Sequence, residues 1–161
     1  MSIEKVRKYF ERYEMADKVL EFEESSATVE LAAQRLGVIP ARIAKTLSFS
    51  LGERCVLIVA AGDAKIDSKK FKTFFGKKAN MLKSEDVERM TGHGVGGVCP
   101  FDNPASVDTF IDVSIRRFET VFPACGSAKS AIELTPEQVF RFGEALEWVD
   151  ICKDWREVPV D

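Results

Sequence analysis

Histidine occurs once among the 161 residues, at His93. With no second His or Cys at ligand spacing, zinc has no candidate site, and no metal or other cofactor is expected. Cysteine is sparse as well. Cys55, Cys99, Cys125 and Cys152 stand far apart with no C-x-x-C, the pattern of buried thiols in a reducing compartment. No apolar run approaches the roughly 20 residues of a membrane helix. The opening MSIEKVRKYFERYEM is charged throughout and lacks the apolar centre of a secretion signal. The chain is therefore expected in the cytoplasm, without a membrane partner. Nor is there a large excess of either charge. The 23 basic and 26 acidic residues leave a net −3, which argues against a chain-wide polyanion binder and against DNA as a partner. Repeats, low-complexity tracts and linkers are missing too, so residues 1–161 are expected to form one domain.

What is present is ordinary globular composition, 45% hydrophobic and 30% charged. Ile3, Val6, Phe10 and Tyr13 recur at helical spacing and predict a helix over 2–14. KVLEF (18–22) reads as a short strand. Thr28 caps a helix that Gly37 ends, and Pro40 opens another short one. TLSFSL (46–51) alternates with Leu47, Phe49 and Leu51 on one face. After a turn at Gly52-Glu53, CVLIVAA (55–61) is apolar on both faces, the mark of a central strand. Asp67 caps a helix with Phe71, Phe74 and Phe75 on one stripe, and a further helix runs from Ser84 to about Met90. VDTFIDV, ETVFPACG, AIEL and the closing WVDIC read as strands. Thr135-Pro136-Glu137-Gln138 is a capping box opening a helix to about Ala145. The expected fold is α+β, with a mixed, largely antiparallel sheet surrounded by helices.

Three features carry chemistry. TGHGVGGVCPF (91–101) satisfies G-x-G-x-x-G, but a helix precedes it and Pro100 follows, which is the wrong context for a dinucleotide fingerprint. Its glycines either turn the chain or let a ligand lie against consecutive backbone N–H groups. His93, alone and flanked by glycines, reads as a solvated or capping residue. Lys45 extends the alternation of Leu47, Phe49 and Leu51 backward, onto the apolar face. It either snorkels or sits partly desolvated in a pocket, unless regular strand geometry starts after it. Lys65, Lys69, Lys70, Lys72, Lys77, Lys78 and Lys83 face a single acid, Asp67, over 19 residues. That is either a polyanion footprint or a solvated helix face.

The segments ESSATVELAAQRLGV, IAKTLSF, VLIVAAGDAKID, TGHGVGGVCPF and GSAKSAIELTPEQ, in this order, resemble the YbaK/prolyl-tRNA-synthetase-associated editing domain family along essentially the whole chain. The resemblance implies a partly rolled mixed sheet and hydrolysis of the ester of mischarged tRNA, with Ser-, Thr-, Ala- and Cys-charged tRNA as the candidates. It maps the essential lysine onto Lys45 and the carbonyl-holding loop onto Gly96, Gly97 and Val98, followed by Pro100. A second loop at the pocket rim maps onto Gly126 and Ser127. Thr28 and Thr46 complete the expected substrate-binding set, and Lys69, Lys70 and Lys72 of the lysine cluster are the expected tRNA contacts. The implied partners are the acceptor end of aminoacyl-tRNA and a synthetase. A non-catalytic tRNA- or synthetase-binding module of the same fold is the alternative. Asp102 after Phe101 departs from the P-F-G or P-I-G common in such loops.

Overall fold

A computed structural model describes residues 2–25 and 28–155. Ser26 and Ala27 of the ESSATVELAAQRLGV stretch lie outside the described residues. In chain order the elements are α1 (Ser2–Glu11), β1 (Leu20–Glu21), α2 (Val29–Leu36), β2 (Ile43–Leu51), β3 (Arg54–Ala61), β4 (Lys65–Ile66), α3 (Ser68–Phe75), α4 (Ser84–Thr91), β5 (Val107–Asp112), β6 (Phe122–Pro123), β7 (Ser130–Ala131), α5 (Pro136–Phe142), β8 (Glu147–Val149) and β9 (Cys152–Lys153). None of the described helices is long and apolar enough to cross a membrane.

Local chemistry sets the helix ends. Thr28 Oγ1 accepts from Leu31 N–H, and Gly37 closes α2 at a φ of 69°. Asp67 accepts from Lys69 and Lys70 N–H groups, and the Thr135–Gln138 capping box forms reciprocally. Two helices are shorter than their periodicity suggests. α1 stops at Glu11 and α5 at Phe142, because Glu14 and Glu144 take left-handed φ values of 57° and 50° that a right-handed helix cannot continue.

The main sheet runs β6-β2-β3-β5-β8, with β3 at its centre. Val56 to Ala61 are almost wholly buried, as a strand apolar on both faces requires. The sheet is mixed, but less antiparallel than expected. Only the β2–β3 hairpin is antiparallel within it, while β2–β6, β3–β5 and β5–β8 are parallel. Long crossovers that carry helices, such as the one through α3 and α4, bring parallel neighbours together. The late strands are also fragmentary. ETVFPACG contributes only Phe122–Pro123 to the sheet, since Pro123 has no N–H to extend a ladder. AIEL contributes Ala131 and a bridge from Leu134 to Val121. WVDIC splits because Ile151 N–H turns to the buried Asp112 carboxylate at 2.9 Å. One core joins α1, α5 and the sheet through Phe10, Phe101, Ile111 and Phe142, and a second packs α3 through Phe71 against Phe49, Val56 and Ile58.

Candidate active site

The site grows from a gap in the edge of β2. β6 pairs only with Ile43 and Ala44. The 80–82 segment re-engages the strand further on, where Leu82 N–H donates to Ser48 O at 3.0 Å and Ser50 N–H to Asn80 O at 2.8 Å. Lys45 to Leu47 lie between these two contacts. The outward bonds of Ser48 and Ser50 show which backbone groups point to the edge, and by alternation those of Thr46 do too. A cavity of about 390 Å³ covers this stretch, walled by the start of α2, the start of α4, residues 95–98 and residues 122–131. Thr28, Lys45, Thr46, Gly96, Val98 and Ser127 all line it. Two more open depressions adjoin it, sharing Met81 and Leu82 on one side and Val95 and Ser127 on the other.

Lys45 leaves β2 on the face of Leu47 and Phe49, as parity predicts, whereas Thr46 leaves on the opposite face. The Lys45 ammonium donates to the carbonyls of Ala64 and Gly62, the latter at 3.4 Å. Burial pushes its pKa below the ordinary lysine value, opposed by nearby acidic groups including Asp63 and Glu30. The turn that receives it is pinned twice. Asp63 pairs bidentately with Arg117 at 2.5 and 3.0 Å, and both side chains are largely buried. Gly62 lies so close to Pro40 that an added Cβ would sit 2.1 Å from its carbonyl oxygen. Asp63 and Arg117 are 54 positions apart, and nothing local in the sequence announces the pair.

The glycine loop divides its labour. Gly96 (φ 89°) and Val98 face the cavity, and no backbone bond between described residues uses their N–H groups. Gly97 does not line the cavity. Its N–H donates to Gly94 O at 2.9 Å, which removes it from the expected set of oxyanion donors. Instead it backs onto the second loop, where an added Cβ would lie 2.5 Å from Gly126 C, Ser127 N and Ser127 Cα. Pro100 packs against Gly143 and lines a different cleft. His93 is fully buried and not solvated. Burial lowers its pKa, and its Nε2 lies 2.8 Å from Phe101 O, bracing the loop from behind.

The second loop is stitched by Ser130, which sequence reasoning missed. Its hydroxyl accepts from Cys125 N–H at 3.0 Å and donates to Ser127 O at 2.9 Å. The Ser-x-x-Ser spacing of GSAKS was the available signal for a side-chain-closed turn. Gly126 takes a φ of 91° there and borders the adjoining depression rather than the main cavity. Burial pushes the thiol behind the glycine loop, Cys99, up to about 12, and Cys125 rises well above its usual value for the same reason. Neither is a thiolate at neutral pH. Lys69, Lys70 and Lys72 lie on α3 outside the cavity wall. Lys70 is engaged by Asp150 and the Cys152 carbonyl, each at 3.3 Å, while Lys69 and Lys72 are exposed.

The cavity of this α+β domain gathers loop N–H groups, hydroxyls and one partly buried ammonium. The profile of the aminoacyl-tRNA editing domain matches residues 23–142, and the chain belongs to that family. It is 53% identical over 156 residues to the uncharacterized protein YwhH of Bacillus subtilis (strain 168), covering 96% of this chain and 99% of that one. It is 27% identical over 142 residues to a proline–tRNA ligase of Lysinibacillus sphaericus (strain C3-41), matching 84% of this chain and 25% of the ligase. A crystal structure titled as that of a candidate trans-editing enzyme for prolyl tRNA synthetase has the same fold. Its TM-score is 0.85 at 24% identity, with 95% of this chain and 98% of that chain covered.

Proposed function

We propose that the protein is an aminoacyl-tRNA deacylase that hydrolyses the ester of mischarged tRNA in the cytoplasm. The observation that carries this reading is that Lys45 lines one cavity of a family member together with Gly96 and Val98, whose N–H groups donate to no described backbone carbonyl. An aminoacyl ester is already activated. Water adds to its carbonyl carbon, the carbonyl oxygen becomes an oxyanion, and the C–O bond to the terminal ribose then breaks, leaving free amino acid and tRNA. The N–H groups of Gly96 and Val98 suit the oxyanion. Lys45 supplies positive charge for the ribose–phosphate end or for the same oxyanion. Burial raises the pKa values of Cys99 and Cys125, which disfavours a thiolate nucleophile. The acceptor end of tRNA is the proposed partner, with a synthetase as the source of the mischarged substrate.

The test is a deacylation panel of tRNAs charged with Ala, Ser, Thr, Cys and Pro, run with wild type and folded Lys45→Ala. Turnover of at least one ester, lost in the variant, is the expected result. Tight binding of charged tRNA without turnover would replace the reading with a non-catalytic binding module.

A further inference from the structure

Asp112, the last residue of β5, is a fully buried carboxylate. Each of its oxygens accepts one backbone N–H: Oδ2 from Ser114 and Oδ1 from Ile151, both at 2.9 Å. The two residues it holds go on to hold the segment 61–67. The Ser114 hydroxyl, also fully buried, accepts from Ala61 N–H at 3.0 Å. The Ile151 carbonyl accepts from Asp67 N–H at 2.8 Å. Between those two points lie the Gly62 and Ala64 carbonyls that receive the Lys45 ammonium. Both ends of that segment therefore trace back to one side chain. Its middle is tied to the same place. Asp112 caps the short 3-10 helix Val113–Arg117, where Arg117 Nε donates to Ser114 O at 2.9 Å while the guanidinium grips Asp63.

We infer that Asp112 is a positioning residue for Lys45, acting through Ser114 and Ile151 on the segment that receives the ammonium. This rests on the deacylase reading, in which Lys45 serves the reaction. A buried carboxylate is costly, and the geometry shows why a neutral isostere does not replace it. Two N–H groups need two acceptors, whereas an asparagine of the same shape offers one acceptor and turns a donor toward the other N–H. A buried network with each of these bonds made holds a single arrangement. Slack at either end would let the Gly62 and Ala64 carbonyls drift from the ammonium, and a misplacement of about 1 Å can cost on the order of 100-fold in rate. Asp112 does not line the cavity, so its effect belongs in kcat rather than in substrate binding.

The experiment compares Asp112→Asn and Ser114→Ala, which frees Ala61 N–H alone, with Thr135→Ala, which removes the α5 cap and destabilises the protein away from Lys45. Each Tm is measured. Lys45 is titrated by acetic anhydride labelling across pH, read by mass spectrometry and needing no tRNA. The groups that act on its ammonium, Asp63, Glu30, Lys65 and the Cys152 thiol, are kept in every variant. Burial holds Lys45 below the ordinary lysine value, so a loosened segment admits water and moves its titration upward. Asp112→Asn and Ser114→Ala are both expected to show that movement. Their kcat for deacylation should fall by about tenfold or more, with KM within about twofold. Thr135→Ala should lower Tm and leave the titration and kcat alone. A folded Ser114→Ala in which either the titration or kcat stays put overturns the inference, and so does an equal change in Thr135→Ala. If Asp112→Asn does not fold, Ser114→Ala decides the matter by itself. A titration that moves while wild type turns over no ester ends the deacylase reading and keeps the positioning of Lys45. A loss of turnover with the titration unmoved does the reverse.

Discussion

Replacing Gly97 by alanine tests the contact between the two loops. The added methyl would stand 2.5 Å from three backbone atoms of Gly126 and Ser127, where comfortable carbon contact needs about 3.5 Å. No flexible side chain can swing aside, so the loops must part by about 1 Å. Overpacking of this kind costs about 1–3 kcal/mol, which for a chain of this size lowers Tm by about 2–12 °C. The displacement falls on Ser127, which lines the cavity opposite Gly96 and Val98, and a misplacement of about 1 Å can cost on the order of 100-fold in rate. Calorimetry and single-turnover deacylation on the same preparation measure both effects. Gly94→Ala is the matched control: its nearest new neighbour would be Glu88 Oε2 at 4.0 Å, so Tm and rate should hold. A Gly97→Ala protein with unchanged Tm and rate would show that the loops do not touch in solution. A loss of rate alone, with Tm intact, would favour the sequence expectation that Gly97 meets the ester carbonyl directly.

Lys45→Ala should cut deacylation by about 100-fold or more with little change in Tm, and Lys45→Arg should rescue in part if charge is the role; near-wild-type activity of folded Lys45→Ala would move the active site elsewhere. Because burial lowers the Lys45 pKa, activity that needs its ammonium should fall with rising pH earlier than a free lysine would dictate. The unfolded chain binds more protons in that window, so stability should rise with pH there, and Lys45→Met should remove that slope. Arg117→Ala leaves Asp63 without its bidentate partner and should lower Tm by at least about 4 °C. It should also slow deacylation by loosening the turn that holds Lys45, and an unchanged melting curve would count against that coupling. Neutralising Lys69 and Lys72 to Gln should raise KM at moderate salt and flatten its salt dependence while kcat holds; an unaltered salt slope would mark α3 as a merely solvated face.

Local rules made much of the fold legible. The strand that is apolar on both faces is the central one, and the caps at Thr28, Asp67 and Thr135 form as read, because capping depends on three or four neighbouring residues. Parity placed Lys45 on the Leu47 face for the same reason. What escaped depends on distance. The parallel neighbours of β3 and β5 are set by crossovers of more than 30 residues, and no short window encodes their direction. The glycine loop was visible, but not which glycine faces the cavity: Gly96 and Gly97 are adjacent and identical, and only the second loop's approach tells them apart. His93 looked solvated because its neighbours are glycines, yet the packing of Phe101 and Cys99 around it comes from the folded loop.

The interruption in the β2 edge has a consequence for how the molecule behaves in company. Unpaired strand backbone invites another chain to dock and extend the sheet, the first step toward swapping or fibre growth. Here the exposed ladder is three residues, about 10 Å, stoppered at one end by Phe122–Pro123 and at the other by Asn80–Leu82. A foreign strand would find too few rungs to hold and a lysine beside them. Both stoppers keep the open stretch of the β2 edge short. Loosening either one would lengthen the ladder and expose the chain to self-association before it harmed the cavity.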